Sequence, residues 1–145
     1  MTNLRDIVRK KGKSVFSVTP DTTVFEALKI MADANTGALL VMSGDKVLGI
    51  VSERDFVRRV DLHGRSSKTA KVEEIMTSKV LYAQADQSVE ECVAVMIDKS
   101  IRHLPVFEGN DLIGLISARD ALKEMVDEQK FMISQLEHYI TGGGR

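Results

Sequence analysis

Only one cysteine, Cys92, stands in this chain of 145 residues, so no internal disulfide can form and a reducing compartment is the expectation. Net charge is nearly absent: 20 Lys and Arg face 21 Asp and Glu, a balance of −1. That gives no general pull toward nucleic acid or an anionic membrane. No apolar run approaches the roughly 20 residues of a membrane span. The opening Met1-Thr2-Asn3-Leu4-Arg5-Asp6 lacks the apolar core of a signal peptide. The cytoplasm is the compartment these absences point to.

Catalytic signatures are missing as well. His63, His103 and His138 are scattered, and with Cys92 they form no metal-ligand spacing. No Ser/His/Asp set surrounds a recognisable nucleophile turn. Gly142-Gly143-Gly144 follows no strand and precedes no Gly-Lys-Ser/Thr, so it is not a phosphate loop. No catalytic residue, metal or catalytic cofactor is expected, and an enzyme is disfavoured. Residues 5–13 are basic and read as a solvated end.

What the chain does contain is a repeat. Sliding it by 65 positions (82 minus 17) lays residues 17–55 on residues 82–120 without a gap. Identical pairs include Asp21/Asp86, Met31/Met96, Gly44/Gly109, Gly49/Gly114, Ser52/Ser117 and Asp55/Asp120. Other pairs exchange one apolar residue for another, such as Val47/Leu112 and Ile50/Leu115.

Each copy reads as β-α-β-β-α. Residues 15–18 and 80–83 are short strand candidates. Residues 21–23 and 86–88 supply helix-capping chemistry. Val24, Ala27, Leu28 and Met31 recur at helical spacing, as do Val89, Cys92, Val93 and Met96. Two apolar runs around a Gly/Asn/Asp turn then predict a hairpin, and Ser52 or Ser117 opens a further helix. Cys92 aligns with Ala27 and reads as core. Residues 59–71, polar and basic, read as a solvated connector.

One copy of about 60 residues is marginal alone. Two copies packed about a pseudo-twofold axis would cover each other and form two related clefts, natural sites for a small molecule. The expected class is therefore α/β (α+β), with two such repeats and an extended last helix.

Gly49-Ile50-Val51-Ser52-Glu53-Arg54-Asp55 and Gly114-Leu115-Ile116-Ser117-Ala118-Arg119-Asp120 resemble the ribose motif of the CBS family, Gly-apolar-x-[Ser/Thr]-x-x-Asp. Arg102-His103-Leu104-Pro105-Val106 and Ile75-Met76-Thr77 add to that likeness, which covers roughly residues 4–125. It implies a stand-alone tandem pair, or Bateman module. The expected layout is a first CBS motif with its lead-in over 1–62 and a linker over 63–71. A second motif over 72–126 and a helix extension with a flexible tail over 127–145 complete it.

The family resemblance implies a regulatory module for signal transduction. It would bind AMP, ADP, ATP or NAD, in some relatives S-adenosylmethionine, and regulate an unidentified partner protein in trans. A CBS-fold interaction scaffold without a physiological ligand is the alternative.

Ser52 with Asp55, and Ser117 with Asp120, support two readings that can hold together. One is helix capping, with Ser at the cap and an acid in the first turn. The other is ribose binding, because a carboxylate accepts from a cis-diol and a helix N-terminus offers N–H groups to phosphate. Arg54 and Arg119 are either solvated or phosphate clamps.

By the resemblance, Ile101, Arg102 and His103 complete the Asp55 cleft, and the uncharged Gly37 and Ala38 complete the Asp120 cleft. The Asp55 cleft should then prefer more phosphate. Lys13 and Ser14, and Thr77, Ser78 and Lys79, resemble the stretch lining the adenine. Leu40 against Pro105 and Ala85 against Pro20 depart from strict repetition at structural positions.

The last helix should run from near Ala118 to about Ile140. Leu122, Val126, Gln129, Ile133, Leu136 and Ile140 alternate by four and three, a heptad-like seam. It serves either packing on its own domain or a homodimer.

Overall fold

The computed structural model describes residues 2–12 and 15–140. The chain divides into two units. One takes the described residues from 15 to 81; the other joins residues 2–12 to residues 82–140. The opening helix α1 (Leu4–Lys11) thus precedes the first repeat in sequence and belongs to the unit of the second.

In the first unit, β1 (Ser17–Val18) pairs in parallel with β2 (Ala38–Ser43), which pairs antiparallel with β3 (Lys46–Ser52). Helix α2 (Val24–Ala34) lies between β1 and β2 in sequence, and α3 (Glu53–Arg59) follows β3. Thr23 caps α2 by accepting from the Glu26 N–H at 3.2 Å. Asn35, at φ 53°, ends it. The apolar face of α2 buries Val24, Ala27 and Met31 beside Leu39, Val41 and Val51 of the sheet.

The second unit repeats this with β4 (Ala83–Gln84), α4 (Val89–Lys99), β5 (His103–Glu108), β6 (Asp111–Ser117) and α5 (Ala118–Ile140). Strand order is again β4-β5-β6. The 65-residue offset holds through the helix (24 to 89), the hairpin (38 to 103), the register shift after Val41 and after Val106, and the left-handed residues Asn35 and Ser100. It slips by one at the first strands, which begin at 17 and 83. Both are shorter than the expected 15–18 and 80–83, because only two residues reach the central strand: Ser17 faces Leu40, and Ala83 faces Val106.

A second, shorter repeat emerges from the packing. Leu4, Ile7 and Val8 of α1 match Val72, Ile75 and Met76 at an offset of 68 (72 minus 4). Leu4 and Ile7 enter the core of the second unit; Val72, from a 3-10 turn over Val72–Glu74, and Ile75 enter the core of the first. Each lead-in also ties down the middle helix of its unit. The Val89 N–H donates to the Thr2 carbonyl at 3.1 Å, and the Val24 N–H to the Ala70 carbonyl at 2.8 Å. The connector over 63–71 is thus anchored as well as exposed, since Ser67 also accepts from the Phe25 N–H at 2.9 Å.

Helix α5 has the expected limits. Only Ala121 and Glu124 are buried along it, and everything from Phe131 to Ile140 is exposed. Among the described residues, no helix is long and apolar enough to cross a membrane. The Gly-rich tail, residues 141–145, lies outside the described residues, as do Lys13 and Ser14.

Candidate functional site

The two Ser-x-Arg-Asp segments sit where the last strand of each sheet passes into a helix. In the first unit the Asp55 Oδ2 accepts from the Ser52 N–H at 2.8 Å and from the Ser52 hydroxyl at 3.2 Å. Among the described residues, Oδ1 has the Arg59 guanidinium at 3.9 Å. Arg59 itself donates to the Ile75 carbonyl at 2.7 Å, so it is held toward the lead-in. Register places Ala38 directly opposite Ser52, and Gly37 accepts from the Glu53 N–H at 3.1 Å.

Thr77 lies beside the same junction. It exchanges two backbone hydrogen bonds with Ile50, at 2.9 and 3.0 Å. Gly49 is what permits that approach. A Cβ there would stand 2.5 Å from the Met76 sulfur and 2.9 Å from the Thr77 carbonyl oxygen. Ser78 and Lys79 follow Thr77 in exposed positions, and Arg54 is exposed too.

The second unit builds the same junction with different partners. The Asp120 Oδ2 accepts from the Ser117 N–H at 2.9 Å, while the Ser117 hydroxyl accepts from the Asp120 N–H at 3.0 Å. This reciprocal pair is the capping expected from sequence. To it is added Lys11, whose ammonium lies 2.8 Å from Asp120 Oδ2 and donates to the Leu115 carbonyl at 3.0 Å. Burial raises the Asp120 pKa, but the bonds from Lys11 and Ser117 outweigh it and hold the carboxyl below its ordinary value.

His103 pairs across the hairpin with Ser117, and the Arg102 carbonyl accepts from the Ala118 N–H at 2.7 Å. Burial first, then the Lys11 charge, pulls the His103 imidazole below its ordinary value, against the opposing pull of Asp120. Ile101 packs at the edge of the core.

A pocket of about 690 Å³ opens beside this junction. Arg102, His103, Ser117 and Arg119 line it together with Lys123 and Lys130 of α5. Sequence assigned Arg102 and His103 to the Asp55 cleft; inside their own unit they stand with Ser117 and Arg119. Lys11, Lys123 and Lys130 were not singled out. The signal for Lys11 was the lead-in repeat, which aligns it with Lys79 (79 minus 68). For the other two it was helical spacing, since Arg119, Lys123 and Lys130 recur along one face.

Comparison with known proteins settles the family. The CBS domain matches residues 4–62 and again residues 72–127. The chain belongs to the CBS-domain family. It is 36% identical to the mitochondrial CBS domain-containing protein CBSX3 of Arabidopsis thaliana, over 98% of this chain and 73% of that protein. A protein with CBS domains from Burkholderia ambifaria matches at 46% identity and a TM-score of 0.84, covering 88% of this chain and 96% of that one. The CBS domain pair of MJ0100, solved with 5′-methylthioadenosine and S-adenosyl-L-methionine, shares the fold at 23% identity. Its TM-score is 0.76, over 88% of this chain and 98% of that chain.

Proposed function

We propose that this CBS pair is a regulatory sensor that binds an adenine nucleotide (AMP, ADP, ATP or NAD) and controls a separate partner protein in the cytoplasm. The observation that supports this reading best is the Asp55 junction. A mostly buried carboxylate is oriented by Ser52 at 2.8 Å, while among the described residues its other oxygen has the Arg59 guanidinium at 3.9 Å. Such an oxygen can accept from a ribose diol, and the exposed Arg54 offers donors to phosphate. In this reading Thr77, paired with Ile50 beside it, lines the base. A CBS pair of the same fold holds adenosyl ligands in MJ0100.

Calorimetry with AMP, ATP and NAD on the parent chain, Asp55→Ala and Asp120→Ala tests this. Binding lost in Asp55→Ala with the fold retained supports the reading. No binding of any adenine compound to the parent chain rejects it in favour of the scaffold, which would capture its partner equally with and without nucleotide.

We infer also that the chain pairs as a homodimer through α5, where Leu122, Val126, Ile133 and Leu136 are all at least 46% exposed along one seam. Light scattering checks it, with residues 130–145 deleted as the second sample. A monomeric full-length chain removes the dimer, and an unchanged dimer after deletion removes the role of the extension.

A further inference from the structure

Helix α5 changes character along its length. Its first half lies against its own unit, where Ala121 and Glu124 are buried, while residues 131–140 are exposed. One apolar seam runs through both halves, from Leu122 and Val126 to Ile133, Leu136 and Ile140. In the first half Leu122 and Val126 line the pocket of about 690 Å³, which they share with Arg102 and His103 at the start of the hairpin. In the second half the seam stands clear, with Leu136 59% and Ile140 79% exposed. One end of the helix borders a groove and the other forms a ridge.

Two copies running in opposite directions satisfy both ends. Leu122 then meets the second copy's Ile140, Val126 its Leu136, and Gln129 its Ile133. The helices overlap over residues 122–140, about 27 Å at 1.5 Å per residue. Two copies running in parallel would set groove against groove and ridge against ridge.

Charge favours the same direction. The groove carries Arg102, Arg119, Lys123 and Lys130 against one acid, Asp127. A helix C-terminus carries partial negative charge, and Glu137 adds to it in the last turn of α5. Antiparallel pairing brings that end to the cations around Leu122, with Glu137 beside Lys123. Parallel pairing would bring the cations of both grooves together. Lys130 alone meets its own copy in the antiparallel pair, at an exposed flank where the cost is small.

We propose that two copies of the chain exchange the ends of α5, each laying the ridge of residues 133–140 antiparallel into the groove beside Leu122 and Val126 on the other. This rests on the homodimer reading above, and the two fail by different results.

Disulfide trapping reads the direction. In the full chain with Cys92→Ala, Val126→Cys and Leu136→Cys are made separately, mixed at equal concentration and mildly oxidised. Antiparallel pairing brings position 126 of one copy to position 136 of the other. Each stays about 15 Å along the axis from its own counterpart, too far for a disulfide. The mixture should give a covalent dimer, and either variant alone should give at least about tenfold less. Lys123→Glu should weaken the dimer about fivefold by light scattering across a dilution series, and Glu137→Lys likewise. The two changes in one chain should restore it.

Circular dichroism confirms that each variant is folded. Should a cysteine variant not fold, the charge exchange carries the test. Covalent dimer from Val126→Cys alone, or a doubly exchanged chain that pairs more weakly than either single, overturns the antiparallel exchange while the homodimer stands. A dimer that the cysteine mixture does not trap overturns it as well. A monomeric parent chain removes the homodimer and the exchange with it.

Discussion

The two units share a backbone and differ in what is laid against the strand that leads into its last helix. At Ile50 a backbone N–H from Thr77 meets the strand carbonyl; at the matching Leu115 an ammonium from Lys11 does so. The cause is local. Arg9, Lys10 and Lys11 form a last turn suited to a helix C-terminus, and Gly12 at φ 61° closes it, so α1 continues past Val8. Its counterpart stops at Ile75, and Thr77, a β-branched residue, goes on extended into a bridge with Ile50. One duplicated fold thus presents a neutral edge at one junction and a charged one at the other.

Glycine substitutions should break this comparison most sharply. Gly49→Ala pushes a methyl group against the Thr77 backbone and should cost about 2–3 kcal/mol in urea unfolding. Gly114→Ala meets first the Val8 side chain of α1, at 2.8 Å. It should cost about 1 kcal/mol, and Val8→Ala in the same chain should recover most of that. Equal costs at the two glycines would mean that the two lead-ins yield equally.

Next in size are the acids themselves. Asp120→Asn strands the Lys11 ammonium and should cost about 1–2 kcal/mol, against about 1 kcal/mol for the lost cap in Asp55→Asn. Adding Lys11→Met to Asp120→Asn should narrow the gap, which chemical denaturation of all four chains can read.

The response to pH should divide the units too. His103 faces Lys11, Asp120 and Arg102, and its pKa in the fold lies below the ordinary value, so the unfolded chain binds the proton first. Stability should therefore fall as pH drops below about 6.5. The first unit has Ala38 at the matching position, so His103→Asn should flatten the melting-temperature profile between pH 8 and 5.5. Asp120 acts lower. Its depressed pKa gives stability that is present above the usual carboxylate range and is lost as pH falls through the folded value.

The smallest effect belongs to Cys92. Burial pushes its thiol up to about 11, so a thiol reagent at neutral pH should label it only after unfolding. Cys92→Ala places in the second unit the residue the first already has, Ala27, and should cost about 1 kcal/mol or less.

The repeat was legible because its marks lie in residue identity: paired glycines at the hairpin turns, apolar periodicity, and a Ser and an Asp at each strand end. Those marks gave the elements and both junctions. The lead-ins were harder to see because their offset is 68 and the main offset is 65, so three residues of slippage hide Leu4-x-x-Ile7-Val8 against Val72-x-x-Ile75-Met76. Lys11 looked like one charge in a basic end, since its partner Asp120 is distant in sequence. The anchoring of the connector left no trace in sequence, because Ser67 and Ala70 accept through main-chain carbonyls, which every residue has. Lys123 and Lys130 sat beside an apolar seam that drew the reading toward pairing of helices.

The division of the chain has a further consequence, in time. The unit around Asp55 is continuous, and a ribosome delivers all of it once Leu81 has emerged. The unit around Asp120 is split across that continuous stretch, so α1 must wait for strands made after it. Until then Leu4 and Ile7 have no core to enter, and closing such a long loop adds an entropic cost that the first unit does not meet. The junction that Lys11 joins is therefore assembled after the Asp55 junction during synthesis.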